Sequence, residues 1–276
     1  MPLIHPTAIV DPAARLAEDV KVGPYCLVGP DVHLGAGVEL KSHVVVDGRT
    51  TVGEGTVVFP FASVGLQPQD LKYKGEPSQL EIGRNVVIRE HVTVNTGTEG
   101  GGMLTKVGDN VLLAIGAHVA HDVFIGDNSI IMNHVLLGGH VVIEEFVVVG
   151  GGSAIHQFVR LGKHVMIGGA SGIENDVIPY ATAFGNRGHL QGLNLIGMKR
   201  RGFKREDVNA VRHAYKLLFS AAEGSVMADR LNAVEAQYGA SEPVRDIVAF
   251  VRAAGKRKIC QPTAESLAAA TGDADE

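Results

Sequence analysis

The chain has 276 residues, a formal net charge of −5 and a pI near 6.2, which argues against nucleic acid as its main partner. Hydrophobic residues make up 45% of it, aromatics only 5%, and Trp is absent, a balance that suits a narrow core of Val, Ile and Leu. Its two cysteines make no disulfide framework and point to a reducing, cytoplasmic setting; the opening MPLIHPTAIVDP has no signal-peptide character, and no apolar run is long enough to span a bilayer.

The organising pattern starts near the first residue. Ile4, Val10, Leu16, Val22, Val28, Leu34, Leu40, Val46, Val52, Val58 and Val64 stand six apart. Cys26 falls in the small inward slot of this array and reads as core filler. The stretch 66–79, LQPQDLKYKGEPSQ, breaks the period; Ile82, Ile88 and Val94 resume it 18 residues after Val64, as though the loop replaced one coil. A second break, 95–106, spans NTGTEGGGMLTK. From Val107 to Ile173 every sixth residue is aliphatic, and the fifth position of each six is small or β-branched, as at Val111, Ala117 and Ser129. An α-helix cannot give this period, and a β-sandwich does not keep one register so long. The pattern predicts a parallel β-helix over 1–178, with three sixes to each coil of 18 residues. Its 26 sixes make nine coils, a rod about 40 Å long at strand spacing.

Past residue 178 the pattern stops. Residues 179–203 read as an irregular connection. Over 204–260 helical spacing takes over, with Val208, Val211, Tyr215 and Leu218 on one face, Leu231 and Val234 on another, and Val244, Ile247, Val248 and Val251 on a third. The acidic segment 261–276 reads as a disordered tail.

Chemistry concentrates in the long array. His118 and His121 flank inward Val119, and His140 follows 19 residues after His121, one coil plus one residue. These imidazoles should project outward from a flat wall, so a pocket requires a second wall, most simply another copy of the chain. Two other readings stand beside catalysis: polar residues on a solvated face, and a zinc-dependent hydratase of the β-helix carbonic anhydrase type, its outward histidines sharing a metal across subunits.

The stretches HPTAIV (5–10), LKSHVVV (40–46), QDLKYKGEP (69–77), GGGMLTKVGDN (100–110), AHVAHD (117–122), GGHV (138–141), HQF (156–158), HVMIGGASG (164–172) and MKRRGF (198–203) carry a resemblance. Over about residues 1–220 the chain resembles the acyl-ACP:UDP-N-acetylglucosamine O-acyltransferases that open lipid A biosynthesis. The resemblance implies a left-handed β-helix, a homotrimer with active sites between subunits, and transfer of an (R)-3-hydroxyacyl chain from acyl carrier protein to UDP-N-acetylglucosamine without metal or cofactor. It implies His121 as general base, Asp70 as the carboxylate orienting it, and the Gly139 N–H as oxyanion donor. Gln69, Lys72, His118, His140, His156 and Gln157 match substrate-lining positions, Gly169 the acyl groove, and Asn194, Arg200 and Arg201 the nucleotide and its phosphates. The cluster KRRGFKR could steer acidic acyl carrier protein, or simply solubilise the turn before a helix. The chain departs from the family pattern at Asn95 and Thr96, which leaves open the sugar contacts and a hydroxyl or amino acceptor, at Ile196, which leaves open the nucleotide contacts, and at Arg187, which leaves open acyl length.

Overall fold

A computed structural model describes residues 1–220, 225–255 and 257–272. Most of them wind into a three-faced rod of two- to four-residue strands. Face one begins at Leu3–Ile4, face two at Ile9–Val10 and face three at Arg15–Leu16; they stack ten, nine and eight parallel strands. Each strand pairs in register with the one a coil away, so the second residue of each pair points inward on every coil: Leu113 over Ile131 over Val149 on face one, all fully buried. The aliphatic six-residue period is that inward column. Cys26 is buried in the wall, its thiol donating to the Lys41 carbonyl at 2.9 Å.

The corners obey a second rule. Many corner residues are not glycine although φ is positive, among them His43 (57°), Phe61 (64°), His91 (59°), His140 (61°), Phe158 (67°) and His164 (58°). Left-handed backbone is costly for such residues. Here neighbouring coils place the same corner position one above another, and the rings stack. Tyr25, His43, Phe61 and His91 form one ladder with centroids 5.0, 5.0 and 5.2 Å apart.

Both loops leave the same corner, between faces two and three, on adjacent coils. The first does not replace a coil: Gln79–Ile82 pairs directly with Arg49–Val52 on one side and Leu104–Val107 on the other. It is an addition to an unbroken rod, because 18 is a multiple of six and hides the difference. Buried Asn95 and Thr96 tie the loops together: the Asn95 amide donates to the Leu66 and Gln67 carbonyls at 3.2 and 3.1 Å, and the Thr96 hydroxyl meets Ser78 Oγ at 3.0 Å.

Residues 179–203 are ordered rather than irregular. Ala181–Phe184 extends face one and turns back antiparallel onto His189–Leu193. Helix α1, Leu195–Arg200, follows, capped by the Asn194 side chain, which accepts from the Gly197 N–H at 3.0 Å. Next come α2 (Arg205–Phe219), α3 (Met227–Tyr238) and α4 (Glu242–Arg252), which bury the three apolar faces against one another. The tail also differs from a disordered segment. Helix α5, Ala264–Gly272, is anchored where buried Ser266 donates to the Leu190 carbonyl at 2.8 Å; residues 273–276 lie outside the described residues.

The helices are held to the rod by part-buried polar contacts. Asp246 of α4 accepts from the Tyr180 hydroxyl at 2.6 Å and from Lys163 at 3.4 Å. Arg160 donates to buried Asp176 at 2.7 Å and reaches the Phe250 carbonyl at 3.2 Å. Beside them His164, 6% exposed, stacks between Phe146 and Tyr180 and meets the edge of Phe203. Burial, reinforced by the Arg201 charge, pushes the His164 pKa down to about 4. The unfolded chain therefore takes up this proton first, near pH 6.5, and stability drains as pH falls from there toward 4. The loss is on the order of 3 kcal/mol. In urea denaturation at pH 7 and pH 4.5, His164→Phe should lose distinctly less stability than the parent; equal losses would contradict the assignment.

Candidate active site

The corner between faces two and three carries the first loop, the second loop, Ala120–His121–Asp122, Gly138–Gly139–His140 and His156–Gln157–Phe158 on successive coils. Backbone bonds from His140 N–H to the His121 carbonyl and from Phe158 N–H to the Gly139 carbonyl, both 3.0 Å, fix the stacking. The histidines therefore line an edge with loops beside it, not a flat wall.

His121 Nδ1 lies 2.7 Å from Oδ2 of Asp122, whose side chain is 1% exposed. The second loop closes over that carboxylate. Thr98 donates to it through its N–H at 2.8 Å and its hydroxyl at 2.6 Å, and the Asp122 N–H donates to Thr105 Oγ1 at 2.8 Å. A Cβ added to Gly101 would fall 2.0 Å from the Asp122 carboxyl carbon, so only glycine lets the loop lie this close. A carboxylate accepts and cannot donate. It holds the imidazole proton on Nδ1 and leaves Nε2 with a free lone pair.

Gly139 makes room for that ring. A Cβ there would sit 2.5 Å from Cε1 and 2.6 Å from Nε2 of His121. Among the described residues the Gly139 N–H meets no acceptor, so a free donor belongs to the residue against which the His121 ring packs. The His140 ring stands perpendicular to His121 at 5.0 Å and stacks flat on Phe158 at 4.3 Å. Burial lowers the His140 pKa, opposed by the charge of Asp122. On face two, His118 Nδ1 meets Thr93 Oγ1 at 2.7 Å; burial, then the neighbouring His121, lowers its pKa. His156 is exposed one coil further on, with Nδ1 3.0 Å from the Gln157 carbonyl.

The carboxylate that meets His121 in this structure is that of Asp122, not the expected Asp70. Asp70 instead caps its own loop, accepting from the Lys72 N–H at 2.9 Å. Gln69 and Lys72 are exposed on the same loop, and the charges of Asp70 and Lys72 are felt at His140. The signal for Asp122 was present in AHVAHD; what the string could not show is that residue 122 takes a left-handed corner conformation (φ 59°) and turns back onto its neighbour.

The remaining candidates lie on other corners. Gly169 sits between faces one and two, over the Gly151 carbonyl. Asn194 caps α1 and donates to the His164 carbonyl at 2.9 Å, while Arg200 and Arg201 are exposed at the end of α1, with the Arg201 guanidinium 4.6 Å above Phe146 on the corner between faces three and one. Ile196 is 67% exposed on α1, and Arg187 is exposed 3.7 Å from Glu174. One chain does not bring these groups to His121.

Residues 176–260 match the family model described as Udp N-acetylglucosamine O-acyltransferase, domain 2, and residues 104–139 match that of the bacterial transferase hexapeptide (six repeats). The acyl-[acyl-carrier-protein]--UDP-N-acetylglucosamine O-acyltransferase of Azorhizobium caulinodans is 52% identical over 95% of this chain and 96% of its own length. The chain belongs to the acyl-ACP–UDP-N-acetylglucosamine O-acyltransferase family. The Caulobacter vibrioides member is 50% identical over 95% of the chain and 99% of its own. Among solved structures, LpxA from Acinetobacter baumannii superposes with a TM-score of 0.90 at 44% identity, covering 93% of this chain and 99% of that one. LpxA from Bacteroides fragilis, a UDP-N-acetylglucosamine acyltransferase, gives 0.89 at 36%, covering 94% and 100%. The rod is thus the left-handed parallel β-helix with a small helical C-terminal domain. Family membership sets aside the zinc hydratase.

The packing over Asp122 gives a direct test. Gly101→Ala should cost about 1–3 kcal/mol of stability through overpacking, whereas Gly100→Ala, whose added Cβ meets nothing within 4 Å, should change little. Equal urea midpoints for the two variants would show that the loop does not press on the carboxylate.

Proposed function

We propose that this chain transfers an (R)-3-hydroxyacyl group from acyl carrier protein to the 3-position of UDP-N-acetylglucosamine, the first step of lipid A biosynthesis. The observation that carries the mechanism is His121, with Nδ1 engaged by buried Asp122 and Nε2 beside the unoccupied Gly139 N–H. Nε2 removes the proton of the sugar hydroxyl as that oxygen attacks the thioester carbonyl. Negative charge then grows on the carbonyl oxygen, where the Gly139 N–H donates to it. Collapse breaks the carbon–sulfur bond, and the imidazolium returns its proton to the leaving thiolate. Asp122 stabilises the imidazolium in between. His118, His140, Asp70, Lys72, Gln69, His156 and Gln157 flank this edge and would set the sugar and the acyl carbonyl in line.

The second wall of the site comes from another subunit in this reading. Reactive residues, Gly169 and the Asn194–Arg201 group occupy three different corners of one rod. A homotrimer about an axis parallel to the rods sets one subunit's corner against a neighbour's, which supports joint sites between subunits. Face two also offers exposed Ile9, Leu27 and Leu136 as apolar contact surface. Arg200 and Arg201 suit phosphate, and the surrounding basic cluster suits acidic acyl carrier protein. Free buried Cys26 and Cys260 fit a cytoplasmic enzyme, and among the described residues no helix is long and apolar enough to cross a membrane.

The assay is mass spectrometry of purified protein with UDP-N-acetylglucosamine and a panel of 3-hydroxyacyl-ACPs. An acylated sugar nucleotide is expected from at least one donor; none from any would overturn the proposal. His121→Ala should lower kcat by on the order of 10² or more, and Gly139→Ala, which evicts the ring, by a similar factor. Near-normal turnover in either would remove the assigned roles.

A further inference from the structure

Two imidazoles converge on one buried oxygen. His121 Nδ1 is 2.7 Å and His140 Nδ1 3.8 Å from Asp122 Oδ2, and the three residues offer ligand atoms all within 4.8 Å of one another. Among the described residues this is the one cluster of three or more His, Cys, Asp or Glu donors drawn so tightly together. Zinc bound at its usual distances holds tetrahedral ligands roughly 3.3 Å apart. The two separations from Asp122 Oδ2 bracket that value, and the imidazole nitrogens lie within 4.8 Å of each other, so binding requires the rings to move in toward a shared ion. The donors are also held in place. Asp122 is anchored by Thr98 and His140 is clamped on Phe158, while the His121 and His140 side chains keep 15% and 20% exposure toward the cleft. Two imidazoles and one carboxylate with an open fourth position are a zinc ligand set.

We propose that His121, Asp122 and His140 form an inhibitory binding site for Zn²⁺ and divalent ions of similar character. The inhibition follows from one proton. In neutral His121 that proton sits on Nδ1, pointing at Asp122. An ion between Nδ1 and the carboxylate takes the Nδ1 lone pair, so the same proton moves to Nε2. Nε2 then donates instead of accepting and cannot deprotonate a sugar hydroxyl. The inhibitory half of the proposal rests on the acyl-transfer reading; the binding half stands without it.

The test uses the full-length protein with zinc chloride and cobalt chloride. Equilibrium dialysis with metal analysis should give one Zn²⁺ per chain, and Co²⁺ should show the intense visible absorbance of a low-coordinate site. In His140→Asn, chosen because asparagine tolerates positive φ, Zn²⁺ affinity should fall about tenfold or more and the cobalt spectrum should be lost. His5→Gln, at the far end of the rod, should bind as the parent does. Bound Zn²⁺ should lower turnover at least about tenfold, reversibly with EDTA. Unchanged Zn²⁺ affinity in His140→Asn, or no stoichiometric binding, would overturn the site. Stoichiometric binding with full turnover would overturn its inhibitory role. The dialysis and cobalt readouts decide the binding question even if no acyl transfer is found.

Discussion

The contact between Asp122 and His121 is the constraint on which the rest of this molecule turns. A carboxylate with 1% side-chain exposure is hard to keep unless its oxygens are occupied. Here Thr98 and His121 occupy them, and Gly101 lets the loop backbone close over the group. The second loop therefore bears on the proposed base without touching it. It covers the carboxylate, and the carboxylate accepts from Nδ1 and leaves the lone pair on Nε2. Asn95, Thr96 and Ser78 in turn brace the two loops against each other.

The rod's contribution is regularity. A coil every 18 residues brings residue 121 beside 139 and 140, and 140 beside 158, with no connection between them except the wall itself. Stacking of His140 on Phe158 rewards a corner conformation that an isolated residue would avoid. The same regularity spreads the candidate side chains over three corners of one rod. The proposal of a site shared between subunits rests on that spread, because a cleft between rods would bring the corners together.

The six-residue period was visible directly because an inward column must be aliphatic in every coil, whatever else changes. The apolar faces of α2, α3 and α4 were visible for the same reason. What escaped was set by geometry beyond any single repeat. A loop whose length is a multiple of six looks like a missing coil, and only the pairing of Gln79–Ile82 with Arg49–Val52 shows otherwise. The hairpin after Tyr180 carries glycines that mask its alternation, and α5, capped locally by Thr263, is anchored by the contact of Ser266 with Leu190, which no local pattern announces. The contact of Asp122 with His121 is not legible in AHVAHD, because adjacent residues of an extended chain point to opposite sides; the left-handed corner at Asp122 reverses that.

Nitrogen NMR of ¹⁵N-histidine-labelled protein, with His121 assigned by substitution, reads this arrangement most directly. At neutral pH the account predicts a proton on Nδ1 and a bare Nε2 for His121, with that preference lost in Asp122→Ala. A His121 that carries its proton on Nε2 in the parent protein would contradict it.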